Sequence, residues 1–227
     1  MLLTNFTNKE KPSVIFFFSI IAIGIFMLFT LFANVICQKW YGLIVGVLLM
    51  LSAIPFHIFG KKNKIGYFIS FFLNTVGSGF SVSAYYVQMD VSVNLYQMVL
   101  SAVPAIVVLF LVYIMLKTFH KTKKMTVGVG ATINILLLVL SVVLWIINNA
   151  GFFSFCFFCL LISLFYLCVF GITLNHEERF VLRDISFGSF GSFIIITVVV
   201  ICILSEGEIL ENLDIDLGRK RKRKGNL

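Results

Sequence analysis

The chain has 227 residues, of which 60% are hydrophobic and only 12% are charged. An average soluble domain carries about 25% charged residues, so this composition excludes an ordinary soluble globular protein. The net charge is +8, and every charged side chain lies outside the long apolar stretches of the sequence. Because a charge within the hydrocarbon layer costs several kcal/mol, this distribution indicates an integral membrane protein.

Seven apolar segments are each about 18–25 residues long, which is the helix length needed to cross a hydrocarbon core of roughly 30 Å. We therefore predict an all-α fold, a polytopic integral membrane protein forming a bundle of seven transmembrane helices, with six as the alternative. Residues 1–205 then form one membrane domain, and residues 206–227 form a short amphipathic and basic tail. The predicted segments are Ser13–Cys37, Tyr41–Phe59, Ile65–Val87, Tyr96–Leu116, Thr126–Ile147, Phe152–Thr173 and Ile185–Leu204.

The connectors between these segments predict the orientation, because short cytoplasmic loops are enriched in Lys and Arg. With the N-terminus inside, eleven cations lie in inner connectors and only Lys39 lies in an outer one. We therefore predict a plasma-membrane protein with a cytoplasmic N-terminus. The inner set is Lys9, Lys11, Lys61, Lys62, Lys64, Lys117, Lys121, Lys123, Lys124, Arg179 and Arg183.

The C-terminal tail conflicts with this bias, because seven segments would place its basic run outside the cell and six would place it inside. An inner tail could attract anionic lipid headgroups. The five acids between Glu206 and Asp216 nearly cancel the six cations, so we expect no specific nucleic-acid partner. The candidate lipid-binding cations are Arg219, Lys220, Arg221, Lys222, Arg223 and Lys224.

The predicted segments contain no Asp, Glu, Lys or Arg, and their only histidine is His57. Ion pumps, proton-coupled transporters and voltage sensors need ionisable groups within the membrane, so these classes are disfavoured. Intramembrane metalloproteases need an H-E-x-x-H motif, which the sequence lacks. We predict no cofactor and no metal site, and we favour a non-enzymatic protein while leaving the question of enzymatic activity open.

The third segment carries the clearest polar pattern, since small and polar residues recur at spacings of three and four. This spacing places them on one face of a helix. Such a face either packs against other helices, where small residues allow close approach, or lines a path for a neutral solute. The sequence favours packing and leaves the second interpretation open. The candidate residues of this polar face are Ser70, Asn74, Gly77, Ser78 and Ser81.

The sixth segment contains a C-x-x-C motif formed by Cys156 and Cys159. Two such thiols can exchange disulfides when one of them is a thiolate. The four-residue motif resembles that of membrane thiol oxidoreductases of the vitamin K epoxide reductase kind. However, Phe157 and Phe158 between the cysteines make the motif very apolar, which favours inert packing.

Three hypotheses for the function follow. The first is a non-enzymatic membrane partner or regulatory subunit, which binds the lipid bilayer and another membrane subunit. The second is a small transporter, or transporter component, for a neutral or lipid-like solute. The third is a membrane thiol-disulfide oxidoreductase that uses Cys156 and Cys159. The sequence ranks the third hypothesis last and does not separate the first two.

Overall fold

The structure, a computed structural model, describes residues 11–37, 40–92, 94–118, 123–148, 151–174 and 181–224. Within these ranges, the side chains of Lys123, Leu174 and residues 206–224 lie outside the description. The described helices are α1 (Lys11–Ile36), α2 (Tyr41–Phe59), α3 (Ile65–Gln88), α4 (Leu95–Thr118), α5 (Lys123–Asn148), α6 (Gly151–Leu174) and α7 (Val181–Lys224).

All seven helices are long and apolar enough to cross a membrane. The predicted all-α fold with seven membrane-spanning helices is therefore confirmed, and the protein is an integral membrane protein by the length and composition of its helices. The α2 helix has the predicted bounds, and α1 to α6 otherwise differ from the prediction by three residues or fewer at either end. Seven described helices, rather than six, meet the length and apolarity needed to cross a membrane.

The α7 helix differs most from the prediction. It begins at Val181, so Arg183 and Asp184 lie in its first turn, and it continues without a break to Lys224. Its apolar part ends at Ser205, close to the predicted end of the seventh segment. The membrane segment ends there because the residues that follow are polar. Many of them are Glu, Leu, Lys or Arg, which are good helix formers, so the helix itself continues.

Two helices form the centre of the bundle. In their most apolar windows, 67% of α3 and 72% of α6 is buried, against 17% for α2 and for α5. The α3 helix packs on α1, α2 and α7, while α6 packs on α1, α4, α5 and α7. The α1 and α7 helices thus lie between the two central helices. Because α3 is the least hydropathic of the seven, an interior position keeps its polar groups away from lipid.

The helix ends meet at two distinct ends of the bundle. At one end, the Ser13 hydroxyl of α1 lies 3.4 Å from the Tyr113 hydroxyl of α4, and His57 of α2 contacts Ser186 of α7. At the other end, the Tyr86 hydroxyl lies 2.9 Å from Ser154 Oγ. The starts of α1 and α7 and the ends of α2 and α4 therefore lie at the first end. The predicted inner connectors adjoin these helix ends.

Candidate functional site

The polar face of α3 is covered by α2. The two helices meet through glycines, since a Cβ atom at Gly42 would lie 2.7 Å from the Phe80 carbonyl oxygen. A Cβ atom at Gly46 would lie 2.8 Å from the Gly77 carbonyl oxygen and would also contact Ser81 Oγ. Real Cβ atoms do not approach a carbonyl oxygen so closely, so only glycine allows this contact between the two backbones.

The same polar face contacts α7 and α1 on its other sides. A Cβ atom at Gly77 would lie 2.9 Å from the Phe193 ring of α7, and the Thr197 hydroxyl of α7 donates a hydrogen bond of 3.2 Å to Ser81 Oγ. A Cβ atom at Gly79 would lie 2.9 Å from the Phe26 carbonyl oxygen of α1. Three helices therefore enclose the stripe that the sequence singled out.

Most hydrogen-bonding groups of this face are used within α3 itself. The Ser78 hydroxyl donates to the Asn74 carbonyl oxygen at 2.9 Å, and Asn74 Nδ2 donates to Ser70 Oγ at 3.4 Å. Among the described residues, Asn74 Oδ1 has no hydrogen-bond partner, and neither do Asn134 Oδ1 and Tyr166 Oη. The face thus offers one unsatisfied carbonyl group rather than a row of free ones. Ser70, Asn74, Gly77, Ser78 and Ser81 are all buried.

Replacing Asn74 or Ser78 with leucine tests this arrangement. The two side chains are fully or nearly fully buried, so the larger apolar side chain should overpack the helix contacts and lower stability by roughly 1–3 kcal/mol. The thermal unfolding temperature in detergent measures the effect. The exposed Ser52 bonds only within α2, so S52L is the matched control. Unchanged unfolding temperatures for both α3 variants would contradict a packed face.

The structure buries the C-x-x-C motif in the hydrophobic core. Cys159 is 0% exposed and Cys156 is 7% exposed, and the described cysteines are all free thiols. Outside the motif, burial raises the pKa of the Cys37 thiol, which lies just past the end of α1. A raised pKa leaves less thiolate at neutral pH, and the thiolate is the nucleophile in disulfide exchange. The apolar core around Cys156 and Cys159 also favours inert thiols, since a buried cysteine in apolar surroundings stays protonated.

The basic run of the tail continues α7 as helix, but the side chains of Arg219 to Lys224 lie outside the described residues. The suggested attraction of anionic lipid to these cations therefore stays a prediction.

A cavity of about 560 Å³ lies between the end of α2, the second half of α6 and the start of α7. This site was not predicted from the sequence. Its polar lining includes His57, Lys61, Arg183 and Asp184, and the His57 Nδ1 atom lies 2.9 Å from Ser186 Oγ. The only sequence signal for the site is that all four polar residues flank or end predicted membrane segments.

Asp184 is the buried acidic residue at this cavity. Its side chain is 8% exposed, and its carboxylate accepts a hydrogen bond of 3.3 Å from the Thr173 hydroxyl of α6. Asp184 was predicted to lie in a connector, because the seventh segment was predicted to begin at Ile185. The earlier start of α7 turns this residue towards α6 and joins the two helices through a polar contact.

Comparisons with protein-family models, with curated proteins and with solved structures found no match. In the part of the chain that the structure describes, no three His, Cys, Asp or Glu side chains are grouped to hold a metal ion. Three features of the structure bear on function: the enclosed face of α3, the exposed faces of the outer helices, and the cavity beside α7.

Proposed function

We propose that this protein is a non-enzymatic multi-pass membrane protein that acts as a partner or regulatory subunit of another membrane protein. The observation that carries the proposal is the enclosure of the polar face of α3 by α1, α2 and α7. A solute path along α3 would need these side chains to face an open channel. Instead they contact α1, α2 and α7, which supports the role that small and hydroxyl-bearing residues have in membrane helix packing.

The exposed surface of α5 supports the proposal that this protein binds another membrane protein. Only 17% of its apolar window is buried, and Leu136 is 65% exposed. Gly128 and Thr132 lie on this exposed side four residues apart, and a Cβ atom at Gly128 would meet nothing within 4 Å. Small residues at this spacing allow a second membrane helix to approach closely, so we assign the partner contact to this face.

To test this proposal, the protein is extracted from its native membrane with a polymer that keeps the surrounding lipid, and the polypeptides in the purified particle are identified. We expect a second polypeptide in fixed ratio to the 25.6 kDa chain, and we expect Gly128→Leu to release it. Gly24 of α1 also has open space around its Cβ position, so Gly24→Leu is the matched control and should retain the partner. Recovery of the 25.6 kDa chain alone from the unaltered protein contradicts the proposal.

A second candidate function is transport of a lipid-like solute. The cavity between α2, α6 and α7 favours it, since its walls are largely apolar and its mouth is polar. In proteoliposomes, this function would move a fluorescently labelled lipid between leaflets faster than in protein-free vesicles. The thiol-redox hypothesis has the least support, because Cys156 and Cys159 are enclosed by the core.

We also propose a plasma-membrane location with the N-terminus in the cytoplasm. Connector cations gathered at one end of the bundle support this orientation, since Lys61 and Arg183 line one cavity there. Topology reporters inserted in residues 61–64 and 117–124 should report cytoplasm, because positive connectors are retained inside. A reporter after Leu227 should report the outside. Outside signals from both inserted reporters would reverse the assignment.

A further inference from the structure

The back of the cavity beside α7 is formed where α6 and α7 pack closely together. A Cβ atom at Gly188 of α7 would lie 2.5 Å from the Val169 side chain, and one at Gly191 would lie 2.7 Å from the Phe165 ring. The end of α2 forms the opposite wall, and both α2 and α6 pack on α7. The result is a cleft between α2 and α6, closed at the back by the first turns of α7.

The cleft has two chemically different parts. At its mouth, the exposed side chains of Lys61 and Arg183 line the same cavity as the His57 ring. The side chain of Asp184 is buried and hydrogen-bonded to Thr173. The two exposed ionisable side chains at the mouth, Lys61 and Arg183, are therefore both cationic. The rest of the lining is apolar and open to the surroundings, with Phe187 62% exposed.

We propose that this cleft binds an anionic amphiphile, a membrane lipid whose phosphate group contacts Arg183 and Lys61 and whose acyl chain covers Phe165 and Phe187. A guanidinium binds phosphate oxygens in a bidentate manner, and basic pockets between transmembrane helices are typical sites for anionic headgroups. A volume of about 560 Å³ suits part of such a molecule. A soluble anion would leave the apolar wall uncovered, and a lipid with no net negative charge would leave the net positive charge of Lys61 and Arg183 unbalanced.

Lipid binding in this cleft is independent of the proposed partner role, because the cleft and the exposed face of α5 are different surfaces. It concerns the same cavity as the second candidate function, and binding without movement of lipid between leaflets would support the site and contradict transport. Native mass spectrometry of the full chain in neutral detergent measures it directly. We expect phosphatidic acid to bind at one saturable site, and phosphatidylcholine to bind much more weakly. Inorganic phosphate should not compete at concentrations where phosphatidic acid saturates. Equal binding of the two lipids, or competition by inorganic phosphate at such concentrations, would overturn the proposal.

Charge variants locate the site. The double variant Lys61→Gln and Arg183→Gln should weaken phosphatidic acid binding roughly 30-fold, about five-fold for each cation. Lys62 and Lys117 are exposed and do not line the cleft, so the double variant Lys62→Gln and Lys117→Gln is the matched control and should bind normally. An equal loss of phosphatidic acid binding in the control variant would contradict the proposed site.

A third variant keeps both cations and fills the apolar part. Cys168 lines the cleft and is exposed, so Cys168→Trp should leave folding intact while obstructing the acyl chain. We expect weaker binding of phosphatidic acid and an unchanged unfolding temperature. Unchanged binding by Cys168→Trp would show that the chain lies elsewhere and would contradict the proposal, even if the charge variants failed to fold.

Discussion

Replacing Gly46 with leucine is expected to prevent the bundle from assembling. The Cβ atom would lie 2.8 Å from the Gly77 carbonyl oxygen, and that oxygen belongs to the backbone of α3, so it cannot rotate away as a side chain could. The two helices would have to separate along their whole contact. Overpacking typically costs about 1–3 kcal/mol and more where the neighbour cannot move, so we expect the upper end of this range or beyond.

The measurement is the yield of folded protein by size-exclusion chromatography in detergent, followed by the unfolding temperature of any recovered fraction. Gly24→Leu is the control, because a Cβ atom at Gly24 would meet nothing within 4 Å. Both variants add the same side chain to the interior of a membrane helix. A folded Gly46→Leu variant with the unfolding temperature of the control would contradict the described contact between α2 and α3.

The second large effect is expected from Phe158→Ala. Phe158 is fully buried, and its ring lies 6.3 Å from the rings of Tyr85 and Trp145 and 5.4 Å from that of Phe157. This aromatic cluster joins α3, α5 and α6. Truncating a buried Phe typically costs about 3–5 kcal/mol through lost contacts and the cavity that remains, and membrane bundles depend on the same van der Waals packing.

Chemical denaturation in mixed micelles measures this loss as a change in the free energy of unfolding. Phe17 of α1 is 62% exposed, so Phe17→Ala removes the same atoms from a surface where lipid or detergent fills the space. We expect a small change for Phe17→Ala. Equal changes in the two variants would show that the cluster around Phe158 does not support the bundle.

Much of the fold could be predicted because the bilayer imposes strong rules on composition. The turn between Phe59 and Ile65 is marked by three lysines, and the structure ends α2 and begins α3 at these two residues. The spacing of Ser70, Asn74 and Gly77 likewise identified the face of α3 that the structure buries. Such signals are local, because they depend only on residues within one or two turns of each other.

The candidate site could not be predicted, because it depends on which helices become neighbours. His57 and Ser186 are separated by 129 positions in the chain, and no local pattern pairs them. The polarity of Asp184 suggested a connector, whereas its bond with Thr173 places it within a helix contact. Hydropathy defines where a segment crosses the membrane, but it does not define which face of each helix meets which neighbour.

The unbroken course of α7 has a mechanical consequence. Its 44 residues correspond to a rod of about 66 Å at 1.5 Å per residue, and Gly188 and Gly191 near its start form the back of the cleft. A continuous helix transmits a tilt along its length, so a tilt of about 5° about the start would displace the far end by about 6 Å. A ligand in the cleft that tilted α7 would therefore displace Lys224 by a distance set by the length of the helix.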